Sequence, residues 1–398
     1  MSKILLHIDL NAFFATCEEI KNPTLIGKPL IVGGDGRSGI VSTASYEARR
    51  YGIHSGMPTF QAKMLCKNLI ICNCDFKYYS LMSREFINYI RQYSPLIEQM
   101  SIDECFVDIT ETYKKYGNND INRYLMNIQD GLFKKTKLKC SIGVAPTKFL
   151  AKMASDMKKP MGITIVRRKD IQKNIFPLPI KNYFGIGKKT YPKLEKMGIL
   201  TIGDLYYAIK NNKEIVSFIG SFSNSIISEL EGNSDDCLNL MTSDPKSIGV
   251  SRTLMSDCDD AREIKEYLLK LAAGVVEDMK SKNFLTKTIT IQCKDANFDT
   301  SFKTKSYSKS FDEPTEDMDQ IIKETSDLFD KSYEENLIRL IGFSVKNLKE
   351  KHSVVTQMHF DDYEEHEKEN EISVIIGDLN RKTKSNTFIR LSDLDKKK

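Results

Sequence analysis

Short apolar runs along the chain alternate with segments whose apolar residues recur every three or four positions. The runs Ile4–Ile8 and Cys105–Ile109 are too short for core helices and are rich in branched residues, which is typical of buried strands. Between Tyr78 and Tyr93 the apolar and aromatic residues recur at helical spacing. The first half of the chain therefore predicts an α+β fold.

A second alternation of strand and helix follows. Residues 122–133 repeat the helical pattern, and Cys140–Val144 and Ile163–Val166 are predicted buried strands. Between these strands a helix begins near Lys148 and is stopped by Pro160, which lacks the backbone donor that a helix interior needs. This order is consistent with a sheet domain of the ferredoxin-like kind.

The C-terminal half has a pattern of its own. Residues 231–245 are polar and predict a linker. Beyond the linker, the pattern predicts a β-α-β-β-α-β unit. Its elements are the strand Lys246–Leu254, the helix Ala261–Met279, the strands Leu285–Lys294 and Thr300–Ser308, the helix Thr315–Tyr333 and the strand Leu337–Leu348.

Three carboxylates flank the two strands of the first half. Asp9 directly follows the first apolar run, and Asp103 and Glu104 directly precede the second. If these strands are neighbours, the three side chains converge at one end of a sheet, where Mg²⁺ between them would offset their mutual repulsion. The alternative is that Asp9 ends a strand in a turn and that the other two solvate a hairpin.

Composition narrows the range of functions. The chain has 398 residues, enough for two to four domains, and a net charge of +5, which is a weak indication of a polyanionic partner. None of its nine cysteines has the spacing of a zinc site, and we expect reduced thiols in a cytoplasmic protein. There is no signal-peptide pattern, and no apolar segment is long enough for a membrane span.

Two further segments suggest phosphate binding. Tyr46 and Arg49 are three residues apart on a predicted helix preceded by Thr43 and Ser45, an arrangement that suits a triphosphate. A surface helix with a solvated arginine is the alternative.

The second segment is the Gly185-Ile186-Gly187 turn, followed by Lys188 and Lys189. It predicts a helix-hairpin-helix that holds DNA backbone without reading its sequence. A glycine turn in a small helical bundle, with solvated lysines, is the alternative.

Four motifs, in this order and at these distances, resemble those of the Y-family translesion DNA polymerases, with the bacterial polymerase IV branch nearest. The motifs are Asp-x-Asn-x-Phe-Phe-Ala from Asp9, Ser-Thr-Ala-Ser-Tyr-Glu-Ala-Arg from Ser42, Ser-Gly-Met-Pro from Ser55 and Ser-Ile-Asp-Glu from Ser101. Many members of the family have Asp where this chain has Asn11, and Asn resembles the catalytic subunit of polymerase V. The resemblance therefore leaves the branch open.

The resemblance implies a role for individual residues. Two Mg²⁺ ions would be held by Asp9, Asp103 and Glu104 as catalytic carboxylates, with the backbone carbonyl of Leu10 as a further ligand. Phe14 would be the steric gate under the deoxyribose, with Phe13 beside it. Further contacts implied are Thr43, Tyr46, Arg49 and Lys159 to the nucleotide, and Gly185, Gly187, Lys188, Lys189, Ser247, Gly249 and Arg252 to DNA.

The resemblance also implies a right-hand polymerase architecture with a ferredoxin-like palm, small fingers, a helical thumb and a β-α-β-β-α-β little finger. The expected ranges are 1–26 and 76–177 for the palm, 27–75 for the fingers, 178–233 for the thumb, 234–245 for a linker, 246–349 for the little finger and 350–398 for a tail.

The expected function is low-fidelity, template-directed DNA synthesis past lesions, with primer-template DNA and a dNTP as partners. Small residues such as Ser42 and Gly56 in the fingers suggest a roomy pocket for the nascent base pair. The tail segment Gln357–Phe360 is similar to a shortened sliding-clamp peptide, and we expect a monomer. Two other hypotheses are a different palm-type enzyme, such as a nucleotidyl cyclase, and a catalytically silent DNA-binding or clamp-tethered scaffold.

Overall fold

A computed structural model describes residues 3–117, 120–234, 237–240, 244–296, 304–334 and 336–351. The chain divides into two compact units, residues 1–243 and 244–398. Within the described ranges, no helix has both the length and the apolar composition that crossing a bilayer requires.

The first unit mixes strands and helices in the order that the hydrophobic pattern predicts. Its helices and strands are, in chain order, β1 (Leu5–Leu10), α1 (Phe13–Lys21), β2 (Leu30–Gly33), β3 (Val41–Ala44), α2 (Tyr46–Arg49), α3 (Thr59–Leu65), β4 (Ile70–Cys72), α4 (Phe76–Ile90), β5 (Ile97–Gln99), β6 (Glu104–Asp108), α5 (Thr110–Tyr116), α6 (Ile121–Thr136), β7 (Cys140–Ala145), α7 (Lys148–Met157), β8 (Ile163–Ile165), α8 (Ile171–Asn174), α9 (Tyr191–Lys196), α10 (Ile202–Asn211), α11 (Lys213–Ile219) and α12 (Phe222–Glu231).

The main sheet of this unit has the strand order β5-β6-β1-β7-β8. Strand β1 lies in the middle and is antiparallel to both β6 and β7, while β7 and β8 are parallel. Its apolar side chains Leu6, Ile8 and Leu10 are buried in one core with residues of α4 and α6. The sheet therefore fixes the end of β1, where Asp9 lies, between two neighbouring strands.

A smaller sheet, in the order β3-β2-β4, carries α2 and α3. Ser45 caps α2, because its hydroxyl oxygen accepts a hydrogen bond from the backbone N–H of Ala48 at 3.2 Å. The same hydroxyl accepts from the N–H of Leu30 at 3.1 Å, which ties the start of α2 to β2.

Residues 171–231 are helical, and their apolar side chains share a core with α7. One expectation is wrong here. Before the glycine turn the structure has a single 3₁₀ turn at Ile180–Asn182 instead of a helix. The reason is local: Pro177 and Pro179 lack backbone donors, so a regular helix cannot run into the turn.

The second unit has the predicted β-α-β-β-α-β order. Its sheet has the order β11-β10-β12-β9, so the last strand separates the first two, as in a split β-α-β unit. Its elements are β9 (Ser247–Cys258), α13 (Ala261–Ser281), β10 (Phe284–Asp295), β11 (Lys305–Thr315), α14 (Met318–Ser332) and β12 (Ile338–Glu350).

The third strand of this unit differs from the expected Thr300–Ser308. Residues 300–303 lie outside the described ranges, and β11 continues to Thr315. Its serine-rich sequence lacks the apolar alternation of a half-buried strand. The serines instead pair with threonines of β10, with the Ser308 and Ser310 hydroxyl oxygens 2.9 and 3.0 Å from those of Thr290 and Thr288.

Candidate active site

Strand pairing brings the three predicted carboxylates together. Asp9 lies directly opposite Glu104 in the antiparallel pair β1–β6. The next N–H along β1, that of Leu10, donates to the backbone carbonyl of Asp103 at 2.9 Å. The pKa of Asp103 is raised, chiefly by burial and further by the charges of Asp9 and Glu104, although a hydrogen bond from Ser101 opposes the rise. The three residues therefore lie at the same end of the sheet.

Two lysines lie against these carboxylates. The Lys152 ammonium is 2.6 Å from a Glu104 oxygen and 3.5 Å from an Asp9 oxygen, and its side chain is only 13% exposed. The Lys159 ammonium is 2.8 Å from the other Asp9 oxygen and 2.7 Å from Asp156. The lysines offset the repulsion that the acids would otherwise exert on one another.

His7 contacts Glu104 from inside the sheet. Its ring is fully buried, with Nε2 3.3 Å from the Glu104 carboxylate and Nδ1 2.8 Å from the Ser155 hydroxyl on α7. Burial lowers the pKa of His7, so the ring is neutral and can donate from only one nitrogen. The contact with His7, together with Lys152, lowers the pKa of Glu104 to about 2, so this carboxylate is ionised at neutral pH.

The donor atoms suit a hard divalent cation, because carboxylate and carbonyl oxygens are its preferred ligands. Leu10 can contribute only backbone atoms, since its side chain is buried in the core. Across the described ranges, no three acidic, histidine or cysteine side chains are grouped so that they could hold a metal ion as they stand. The oxygens of Asp9 and Glu104 face ammonium groups, so an incoming cation would take over the charge compensation that the lysines provide.

Phe14 lies in a cluster of aromatic rings at the start of α1. It stacks on Tyr79 with 4.5 Å between ring centroids and meets Phe76 edge-on at 5.8 Å. The Tyr79 hydroxyl donates to the buried Glu18 carboxylate at 2.7 Å, which fixes the ring under Phe14. Phe13 is buried in the core, 5.5 Å from Phe14, and therefore packs behind it.

Tyr46 and Arg49 are adjacent on α2, as the spacing predicts. The Arg49 guanidinium lies 4.6 Å from the centre of the Tyr46 ring, and its Nε donates to the Ala44 carbonyl at 3.0 Å. The Tyr46 hydroxyl is buried and has no hydrogen-bond partner among the residues that the structure describes. Burial raises the pKa of Tyr46, while the positive charges of Arg49 and Lys159 oppose the rise. Thr43 precedes them on β3, opposite Val32.

The glycine turn exposes the predicted phosphate contacts. Gly185 has a φ of +104°, a conformation that favours glycine, and the carbonyl of Gly187 accepts the N–H of Thr190 at 2.9 Å. Lys188 and Lys189, which lie between Gly187 and Thr190, are exposed. The backbone therefore turns sharply just before α9, with both ammonium groups facing solvent.

The predicted DNA contacts of the second unit lie on both faces of its sheet. Ser247 and Gly249 share one face of β9, because side chains alternate along a strand. By the same alternation, Arg252 lies on the face of Ile248 and Val250, which pack on the helices. The predicted clamp contacts Gln357 and Phe360 lie outside the described residues.

Sequence reasoning did not assign three residues to the site that the structure places there: Lys152, His7 and Tyr79. A lysine at position 152 among the buried residues of α7, Ala151 and Met153, is a signal that could have been used. His7 inside an apolar strand is a second one, since a buried imidazole needs a partner. Tyr79 carried no such signal, because its spacing on α4 is that of an ordinary core residue.

Comparison with known proteins gives consistent matches over most of the chain. Residues 8–156 match the impB/mucB/samB family, and residues 245–359 match the C-terminal domain of the same family. DNA polymerase IV of Oceanobacillus iheyensis is 37% identical over 390 residues, covering 96% of this chain and 90% of that protein. DNA polymerase IV 1 of Bacillus subtilis is 36% identical over 389 residues, covering 96% and 91%.

Solved structures give the same result. A Y-family DNA polymerase chimera, Dbh-Dpo4(243-245)-Dbh, aligns with a TM-score of 0.75 at 27% identity and covers 87% of this chain and 99% of its own. An insertion ternary complex of Dbh DNA polymerase aligns with a TM-score of 0.57 at 27% identity, with the same coverage.

Replacing Lys152 with Met should change how the protein responds to divalent cations. Without Mg²⁺ we expect a lower midpoint of thermal unfolding, because Asp9 and Glu104 lose a counterion. Saturating Mg²⁺ should then raise the midpoint of the variant more than that of the wild type. Each kcal/mol that Mg²⁺ binding adds to the free energy of unfolding should raise the midpoint by about 2–4 °C.

Lys148→Met is the matched control, since this lysine lies on the same helix but pairs with Glu98 at 3.0 Å. Its response to Mg²⁺ should equal that of the wild type. Equal Mg²⁺-dependent shifts in Lys152→Met and the wild type would contradict the arrangement inferred here.

Proposed function

The chain belongs to the impB/mucB/samB family of Y-family DNA polymerases and is a translesion DNA polymerase, and we propose that Asp9, Asp103 and Glu104 carry its chemistry. The observation that supports this most is the register of β1 and β6, which sets Asp9 opposite Glu104. In the reaction, the primer 3′-hydroxyl attacks the α-phosphate of a dNTP and pyrophosphate leaves.

Y-family polymerases use divalent metal ions, and we infer two Mg²⁺ ions held by the three carboxylates and the Leu10 carbonyl. Bound there, the ions would lower the pKa of the attacking hydroxyl and offset the charge on the leaving pyrophosphate. Glu104 is suited to this task, because His7 and Lys152 keep it ionised well below neutral pH.

The triphosphate would lie between α2 and the loop after α7. Arg49 offers a planar guanidinium, and Lys159 an ammonium group that already contacts Asp9 at 2.8 Å. The buried Tyr46 hydroxyl has no hydrogen-bond partner within the described part of the chain, so it is available to donate to a phosphate oxygen. Thr43 precedes both on β3. We propose that Lys159 moves from Asp9 to the β- and γ-phosphates when the nucleotide binds.

Phe14 is proposed as the steric gate that excludes a ribose 2′-hydroxyl. A steric gate needs a ring that keeps its position when a 2′-hydroxyl approaches. The stacking of Phe14 on Tyr79 holds the ring in place. The hydrogen bond from Tyr79 to Glu18 holds the supporting ring in turn. Phe13 is buried in the core with its ring centroid 5.5 Å from that of Phe14, and it would limit movement of the gate ring toward the core.

We propose that the hairpin at Gly185 and Gly187 binds DNA backbone through its amides and through Lys188 and Lys189. In the second unit, Ser247 and Gly249 would approach DNA on the open face of the sheet. Arg252, on the other face of an edge strand, would have to reach a phosphate around that edge.

The sheet with order β5-β6-β1-β7-β8 would be the palm, the small sheet the fingers, the helices after α7 the thumb and the second unit the little finger. Low fidelity, a monomeric state, a cytoplasmic location and a clamp contact through Gln357 and Phe360 complete the proposal. The bacterial relatives, which are named as DNA polymerases, support the proposed location.

Primer extension with Mg²⁺ tests the carboxylates. Asp103→Ala should lower the extension rate at least about 100-fold, because several kcal/mol of transition-state stabilisation is lost. Asp130→Ala, which removes an exposed carboxylate from α6, should leave the rate unchanged. Extension at the wild-type rate by Asp103→Ala would refute the assignment.

Ribonucleotide discrimination tests the gate. Phe14→Ala should raise single-nucleotide incorporation of rNTPs relative to dNTPs by at least about tenfold, because the ring no longer meets the 2′-hydroxyl. Phe133→Ala, at an exposed ring on α6, is the control. An unaltered preference for dNTPs in Phe14→Ala would remove this role.

The salt dependence of DNA binding tests the hairpin. Replacing Lys188 and Lys189 together with Ala should weaken binding equally for unrelated sequences and lower the slope of log K against log salt by about 1.8, since each phosphate contact contributes about 0.9. Lys210→Ala is the control, because that ammonium pairs with Glu231 at 2.7 Å. An unchanged slope in the double variant would exclude the contact.

A further inference from the structure

Asn11 is the position at which this chain departs from the Asp of many Y-family members. It follows Asp9 by two residues, in the turn between β1 and α1, and its side chain is only 2% exposed. A buried amide carries two donors and an acceptor that need partners. The metal ligands proposed above do not include it, so its bonds must serve something else.

Asn11 connects the end of β1 to β7 and to the loop after α7. Its Nδ2 donates to the Ser141 hydroxyl on β7 at 2.9 Å, and its Oδ1 accepts the backbone N–H of Met161 at 2.8 Å. The backbone N–H of Asn11 donates to the Lys139 carbonyl at 2.7 Å. Asn11 is thus fastened to β7 on one side and to the loop after α7 on the other.

Met161 is held from both sides. Its φ of +58° is in the left-handed region, which is unfavourable for a residue other than glycine. Its N–H is bound by Asn11, and its carbonyl accepts from Gln129 Nε2 at 3.1 Å. These two hydrogen bonds stabilise a backbone conformation that would otherwise relax.

The loop has space into which it could relax. A cavity of about 310 Å³ lies against it, lined by Asn11, Ala12, Tyr46, Pro160 and Met161 among others. Lys159 is two residues before Met161 and contacts Asp9. Without the bond to Asn11, the loop could move toward the cavity and withdraw Lys159 from the nucleotide site.

We propose that Asn11 is a positioning residue, which ties the Lys159–Met161 loop to the end of β1 so that Lys159 can reach the triphosphate. The inference rests on the proposed role of Lys159. The required feature is an acceptor for the Met161 N–H. Asp supplies that acceptor as well, and the Ser141 hydroxyl can rotate to donate to it, so Asn and Asp are equivalent for this purpose.

Steady-state incorporation of a correct dNTP separates the variants. Asn11→Leu, of similar volume but without an acceptor, should raise KM for the dNTP about fivefold to tenfold, with the Kd for primer-template DNA unchanged. Asn11→Asp should stay within about twofold of the wild type. Ser141→Ala, which leaves the Met161 bond in place, should do the same.

A double-mutant cycle with Lys159 distinguishes positioning from general damage to the fold. In the Lys159→Ala background, Asn11→Leu should raise KM no further, because the residue that it positions is already absent. A KM that is unchanged in Asn11→Leu, that rises equally in Asn11→Asp, or that rises by the same factor in both backgrounds would overturn the proposal.

Hydrogen exchange gives a readout that does not depend on activity. The Met161 amide should exchange at least about fivefold faster in Asn11→Leu than in the wild type or in Asn11→Asp. Equal rates would contradict the tether even if no variant polymerises. If the wild type itself failed to extend primers, the proposed function would fail while the exchange result still decided the tether. If Asn11→Leu did not fold, Asn11→Asp and Ser141→Ala would still test the inference.

Discussion

The antiparallel pairing of β1 with β6 concentrates negative charge at one end of the five-stranded sheet. Two unit charges 4 Å apart interact by about 4 kcal/mol at an effective dielectric constant of 20, which is a large part of the stability of a domain. A fold that sets Asp9 opposite Glu104 must therefore supply compensating charge. Lys152 and Lys159 supply it, from α7 and from the loop that follows.

The structure around α7 follows from that requirement. One turn of this helix provides both Lys152, on the carboxylates, and Ser155, against His7. Phe149, Leu150 and Met153 of α7 pack into a core shared with the helices that follow it. Charge compensation and the packing of the following helices thus depend on the same helix, and Asn11 bonds to the loop that follows it.

The sequence predicted the order of most elements, because strands and helices have different hydrophobic periodicities. It also predicted that Asp9, Asp103 and Glu104 lie at one end of a sheet, because these polar residues flank two apolar strands. It did not predict Lys152 or His7, whose contacts depend on how α7 crosses the sheet. The end of β11 was misplaced, at Ser308 instead of Thr315, because hydroxyl pairs replace the usual apolar alternation there. The helix expected before Gly185 is absent from the described part because two prolines precede it. Arg252 was grouped with Ser247 by motif, although alternation along β9 separates them.

A crystal structure with primer-template DNA, a non-reactive dNTP analogue and Mn²⁺ would test the charge-compensation account directly. Anomalous difference density should lie within ligand distance of Asp9, Asp103 and Glu104, with Lys159 moved from Asp9 onto the triphosphate. Manganese bound elsewhere, with both lysines still on the carboxylates, would contradict it.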